Sequence, residues 1–253
     1  MRILLCNDDG VHADGLWALH ERLSARHSVL VVAPDRERTA ASHAITLHVP
    51  IRINPVSVNG RGKAFAVSGT PADCIKLALT ELMQDRPDLV ISGINPGANL
   101  GVDINYSGTF AAAKEAAFFG ITALAVSLAK RKPRHYSQAA GFVSNFAELL
   151  MQKGLPGGTL LNINIPDLPA KQMRGVKVCK QYIRHLGEPL EKRKDPRDGV
   201  YYWYGKNSQI QEADSNLDAA AIQQNYISIT PVKCDMTDYQ LMDDLRSWNL
   251  RIE

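Results

Sequence analysis

Two adjacent carboxylates, Asp8 and Asp9, stand within Asn7-Asp8-Asp9-Gly10, directly after the apolar run 3–6. That run is short, has no helical period and reads as a buried strand, so the pair falls where the strand ends. Neighbouring anions repel and lose solvation on packing, so they need a compensating cation or a set of hydrogen-bond donors. A divalent metal is the first chemistry this implies; capping of a turn and the next helix is the plain alternative. Further oxygen donors follow at intervals. Thr39 and Ser42 lie in the polar, aperiodic segment 35–43, and Asn95 lies in the Gly- and Asn-rich stretch 92–101. Ser107-Gly108-Thr109 precede a strong helix-forming run at 110–117. Free amides and positive partial charge at such a helix start suit a phosphate oxygen, whereas the bland reading makes Ser107 or Thr109 an N-cap.

The elements that must position these residues alternate. Leu16, Leu19 and Leu23 recur at helical spacing before the β-branched run 29–32, giving strand, helix, strand. A right-handed parallel crossover leaves the ends of both strands on one edge of the sheet, bringing 35–43 beside the acidic pair. Strand-like pieces at 45–49, 51–53 and 63–67, with a turn at Asn59-Gly60, predict a hairpin insertion near 45–67. Gly60-Arg61-Gly62-Lys63 lacks the glycine spacing and the Ser or Thr of a phosphate loop. Thr70-Pro71 opens a helix through Leu82, and the core strand Leu89-Val90-Ile91 delivers 92–101 to the same edge as a loop. A strand at 123–127, a helix at about 136–151 and a strand at 160–165 complete an α/β pattern, a doubly wound, mainly parallel sheet.

After residue 165 the pattern changes. Short strands at 176–178 and 200–204 flank the charged stretch 191–198, and a last strand at 226–230 precedes a closing helix at 239–248. We therefore expect a catalytic core at 1–165 and a C-terminal extension at 166–253, comprising an extended hairpin, last strand and closing helix. Tyr201-Tyr202-Trp203-Tyr204 suits hairpin packing or a subunit contact better than base stacking.

Composition narrows the partners. The 253 residues carry a net charge of only +3 with dispersed cations, so no nucleic-acid partner is expected, while an anionic small molecule remains suitable. Cys6, Cys74, Cys179 and Cys234 are too far apart to indicate a disulfide framework or a structural zinc, and buried reduced thiols are expected. No run approaches ~20 apolar residues and no leader pattern opens the chain, so a cytoplasmic protein with no membrane partner is expected.

Two carboxylates, a hydroxyl and an amide carbonyl converging on one edge form an all-oxygen set suited to Mg²⁺ or Mn²⁺. With an anion site at the Gly108 helix start, this set suits metal-assisted hydrolysis of a phosphate ester. Attack by a metal-activated water is favoured over an aspartyl phosphate, because both acids are engaged by metal and the Asp-x-Asp spacing is absent. A receiver-like signalling module would need an Asp after the third core strand, where Ser92-Gly93-Ile94-Asn95 stands. A non-catalytic nucleotide-binding module is the other alternative, without the Gly-x-Gly-x-x-Gly of dinucleotide binders.

Asn7-Asp8-Asp9-Gly10, Val32-Ala33-Pro34-Asp35-Arg36, Gly69-Thr70-Pro71, Ser92-Gly93-Ile94-Asn95, Tyr106-Ser107-Gly108-Thr109 and Ser228-Ile229-Thr230-Pro231 occur in one order along essentially the whole chain. In this the sequence resembles the stationary-phase survival protein SurE family of nucleotidases. The resemblance implies a Rossmann-like core and a metal-dependent phosphatase for nucleoside 5′- and 3′-monophosphates, with possible action on short polyphosphate. It implies one divalent ion per subunit held by Asp8, Asp9, Thr39 and Asn95, and a phosphate near Asn95, Ser107, Gly108 and Thr109. It also implies a homodimer or homotetramer. The family's Ser-Gly in the second loop is here Thr39-Ala40, which keeps the hydroxyl and loses a flexible residue, with Ser42 as the fallback donor. Asp235 also matches a family position, for which the resemblance implies a place facing the site, although capping the final helix is its plainer role.

Overall fold

The computed structural model describes residues 1–58, 60–183, 190–204, 214–248 and 250–252. Its first crossover is β1 (Arg2–Cys6), α1 (Asp14–Ser24) and β2 (Ser28–Pro34). The hairpin β3 (Ile53–Val58) and β4 (Gly62–Val67) follows, then α2 (Pro71–Leu77), β5 (Leu89–Pro96), α3 (Gly108–Phe118), β6 (Ala123–Leu128), α4 (Tyr136–Lys153) and β7 (Thr159–Ile165). The remainder contributes β8 (Val176–Val178), β9 (Leu190–Lys194), β10 (Val200–Tyr204), α5 (Asp218–Gln223), β11 (Ile227–Lys233) and α6 (Tyr239–Ser247).

Among the described residues, nine strands form one sheet in the order β3-β4-β2-β1-β5-β6-β7-β11-β8. The neighbours from β4 to β7 pair in parallel, β3 and β11 join antiparallel, and β8 runs parallel to β11. The α/β, doubly wound reading therefore holds. β1 lies at the centre between β2 and β5, which is why four of its five residues are buried.

Helices cover both faces, as a sheet of crossovers requires. On one face α1 and α4 pack Leu16, Leu19, Leu23 and Val143 over Ile3, Leu5, Ile91 and Val126. On the other, α2 and α3 pack Ile75, Ala112, Ala113 and Ala116 over Leu4, Val90, Ala125 and Leu160. Leu16, Leu19 and Leu23 are completely buried, each contributing about 1.5–3 kcal/mol relative to exposure. α2 begins at the Thr70-Pro71 start read from the sequence, where reciprocal bonds between Thr70 and Asp73 close a capping box.

Two local expectations are corrected. Residues 45–49 form no strand: Ile45, Leu47 and Val49 are exposed, and the Thr46 amide donates to the Asp73 carboxylate instead of a neighbouring strand. Residues 92–96 are not loop but the end of β5, because Asn95 and Pro96 still pair with Ser127 and Leu128 across a register irregularity. The expected C-terminal hairpin is present: the charged residues 190–194 form β9, which pairs antiparallel with β10, and every residue of both strands is exposed, so charge costs nothing there. Asn59, on which the hairpin turn was read, lies outside the described residues. No described helix is long and apolar enough to cross a membrane.

Candidate active site

The acidic pair sits at the carboxyl edge of the sheet, held by a closed loop. Asn7, fully buried, donates Nδ2 to the Gly10 carbonyl at 3.0 Å and accepts the Gly10 amide on Oδ1 at 3.2 Å. Gly10 has φ of +99°, a conformation an L side chain rarely adopts, and a Cβ there would stand 3.1 Å from the Arg36 backbone. The second loop therefore packs directly on the first. Its Arg38 amide donates to the Asp8 carbonyl at 2.7 Å, and the Arg38 guanidinium donates to the Ser68 carbonyl at 2.6 Å.

The end of α3 is aimed at Asp8. Thr109, completely buried, donates its hydroxyl to Asp8 Oδ1, and its amide also faces that carboxylate. Gly108 makes this approach possible, since a Cβ on it would lie 2.7 Å from Asp8 Cβ. Ser107 is the N-cap, its hydroxyl accepting the Phe110 amide at 3.1 Å. Asn95 arrives from β5: Ser92 pairs with Cys6, so Asn95 and Asp9 each stand three residues past a paired position. Asn95 Nδ2 donates to the Gly97 carbonyl at 2.8 Å, which orients its carbonyl oxygen, an acceptor end that no bond among the described residues uses.

Burial pushes the Asp8 carboxyl up, opposed by the Thr109 donors. Asp9 is pushed up to about 7, first by burial and then by the charges of Asp8 and Glu37. Its Oδ2 is buried with no partner among the described residues. An orphaned carboxylate oxygen whose ionised form is this costly, with the charges of Asp8 and Glu37 nearby, fits a cation, and carboxylate oxygens are the donors that a hard divalent ion takes. Among the described residues no three His, Cys, Asp or Glu side chains cluster as a metal site, so such an ion would rest on two carboxylates and neutral donors.

Thr39 is exposed and donates its hydroxyl to Glu37 at 2.5 Å. Ala40 after it has φ of +56°, in the region glycine favours. Ser42 is held elsewhere, its hydroxyl donating to the Asn105 carbonyl at 2.6 Å. Asp235 is exposed, accepts the Thr237 amide and the Tyr239 hydroxyl, and is held down to about 2 by them; the cap of α6 is Asp238. Two contributors escaped the sequence reading. Glu37 adds a third negative charge within electrostatic reach of Asp8 and Asp9, signalled only by its place in the second loop. Asn7 closes the acidic loop, and its position in the motif was the available sign.

A family model described as survival protein SurE matches residues 3–188. A 5′-nucleotidase SurE of Desulfatibacillum aliphaticivorans is 49% identical over 251 residues, covering 99% of each chain. A 5′-nucleotidase SurE of Syntrophobacter fumaroxidans is 46% identical over 250 residues, covering 99% of this chain and 100% of that one. The crystal structure of the SurE protein from Aquifex aeolicus superposes with a TM-score of 0.84 at 34% identity, covering 98% of this chain and 99% of that one.

Proposed function

The chain belongs to the SurE family, and on that premise we propose that it is a divalent-metal-dependent 5′-nucleotidase, hydrolysing nucleoside monophosphates to nucleoside and phosphate. The observation that carries this reading is the Asp9 oxygen beside Asp8 that has no partner among the described residues, at the sheet edge where the α3 start approaches Asp8. Asp8, Asp9, Asn95 and the Thr39 hydroxyl would hold one Mg²⁺ or Mn²⁺. When bound, the ion supplies Lewis-acid polarisation of a phosphoryl oxygen and activation of water.

The chain's own groups do the rest. With the Thr109 hydroxyl and amide turned to Asp8 and the Phe110 amide on Ser107, the Gly108 amide and the Ser107 hydroxyl hydrogen are the donors at this helix start that suit the phosphate. Asn95, fixed through Nδ2, presents its carbonyl oxygen from one side. Asp9 has two oxygens, one to hold the cation and one to accept the proton of an attacking water, which favours hydrolysis without a phosphorylated enzyme. The same machinery would accept 3′-monophosphates and short polyphosphate, whose terminal group is chemically alike. We assign residues 166–253 to contacts between copies, a homodimer or homotetramer, on the exposed Tyr202, Trp203 and Tyr204 of β10.

Phosphate release from a panel of nucleoside monophosphates, with chelator and then with added Mn²⁺ or Mg²⁺, tests the reading. Release is expected to vanish with chelator and return with metal; hydrolysis indifferent to both would overturn it. Thr39→Ala is expected to raise the metal concentration needed for half-maximal activity by about tenfold, while Thr39→Ser stays near wild type. Equal behaviour of the two variants would remove Thr39 from the ligand set.

A further inference from the structure

The segment after Asn95 is tied down in an unusual way. Asn99 donates its amide to Asn164 Oδ1 at 2.8 Å, and its carbonyl accepts Nδ2 of both Asn162 at 2.8 Å and Asn164 at 2.9 Å. Its own Nδ2 donates to the Ser127 hydroxyl at 2.9 Å. Asn162, Asn164 and Ser127 are at most 1% exposed. A loop residue has thus given both main-chain groups and its side chain to side chains of β6 and β7.

The placement of these partners follows from register. Ser127 pairs with Asn164 and with Asn95, so the three stand in one row across β5, β6 and β7. Nearer the strand starts, the same sheet face is filled by Val90, Ala123, Ala125 and Leu160. Towards the carboxyl edge it turns polar, adding Ser92, Ser228 and Thr230, whose buried hydroxyls have no partner among the described residues. Polar side chains are disfavoured in a sheet interior unless they are hydrogen-bonded, and of this polar face Ser127, Asn162 and Asn164 bond to Asn99.

The segment is anchored at its two ends as well. The Gly97 amide donates to the Leu128 carbonyl at 3.0 Å, and the Gly101 amide donates to buried Asp218 at 2.8 Å. Asn95 lies just before this stretch, and the short turn Gly101–Asn105 leads from it to Ser107 and Gly108. Moving Asn99 would shift Asn95 on one side and the start of α3 on the other.

We propose that Asn99, seated on Ser127, Asn162 and Asn164, is a positioning residue for the reaction: it sets Asn95 and the α3 start relative to the acidic pair. The inference rests on the reading that Asn95 and Gly108 serve the phosphate and its metal. Asn99 itself touches neither.

Ser127→Ala and Asn99→Ala each remove one bond and leave the main-chain clamp; Asn164→Asp keeps the acceptor for the Asn99 amide and loses the donor to its carbonyl. Three readouts are taken on each: kcat and KM for a nucleoside monophosphate, Mn²⁺ binding measured directly without substrate, and thermal stability. Asn164→Asp is expected to lower kcat by about ten- to a hundredfold and weaken Mn²⁺ binding, with the protein folded at the assay temperature. Ser127→Ala and Asn99→Ala are expected to lower kcat by smaller factors, with the double variant no worse than the poorer single. Folded variants with wild-type kcat and Mn²⁺ binding overturn the proposal, as do losses that merely track thermal stability. A wild-type protein that neither binds Mn²⁺ nor releases phosphate removes the functional reading beneath it, a failure seen before any variant is made.

Discussion

Asp9→Asn is expected to abolish metal-dependent phosphate release, by at least about 10²–10³-fold, while leaving the fold intact. Asparagine keeps the shape of the side chain and removes the charge that a cation would meet. The same substitution has a second, opposite readout in metal-free protein. Folding pushes the Asp9 carboxyl from 3.8 up to about 7, so between those values the folded chain holds a proton that the unfolded chain has lost. The contribution of Asp9 to the stability of the metal-free protein therefore falls as pH rises from about 4 through about 7. Once ionised, Asp9 costs the fold at most about 4 kcal/mol. Asp9→Asn removes this dependence and melts at a higher temperature than wild type at pH 8. Adding Mn²⁺ reverses the order by stabilising wild type alone. Thermal unfolding across pH, with and without Mn²⁺, checks both halves; an active variant indifferent to metal would sink the assignment.

Gly108→Ala is expected to combine a stability loss of about 1–3 kcal/mol with an activity loss of about 10²-fold. The new Cβ would stand 2.7 Å from Asp8 Cβ and 3.0 Å from Asp8 Oδ2, and no rotation of Asp8 moves its Cβ away. The end of α3 must withdraw from the acidic loop. Helix propensity alone argues the other way, since alanine is the better helix former by about 1 kcal/mol. Gly141, inside α4 with nothing within 4 Å of an added Cβ, supplies the contrast. Gly141→Ala is expected to stabilise by about 0.5–1 kcal/mol with activity unchanged. Melting curves of the two variants decide between propensity and collision; a Gly108→Ala protein as stable and active as wild type would refute the collision.

What could be read from the sequence were the features fixed by short-range pattern. The apolar run ending in Asp8 and Asp9, the helical spacing of Leu16, Leu19 and Leu23, and the Thr70-Pro71 start each depend on a few neighbouring residues. The structure bears out the alternation that these imply. Residues 45–49 deceived because alternating apolar residues look alike whether or not a strand partner exists, and among the described residues no strand pairs with them. Asn95 looked like loop because Gly93 and Pro96 discourage a strand, yet pairing with β6 overrides that preference. Asn99 escaped notice because its role lies entirely in partners 28 to 65 residues away. Glu37 was equally hidden, since its charge matters only once the second loop folds onto the first.

The central place of β1 also bears on how the molecule is made. It pairs with β2 on one side, but its other edge is filled only by β5, and the helix that receives Asp8 begins at Gly108. At ribosomal speeds of about 5–20 residues per second, roughly a hundred further residues take about 5–20 s to appear. Through that interval the first strand is an apolar edge without its second neighbour, open to pairing with another nascent chain. Chains halted before residue 89 are therefore expected to aggregate or to be held by chaperones, and chains released beyond α3 to resist both.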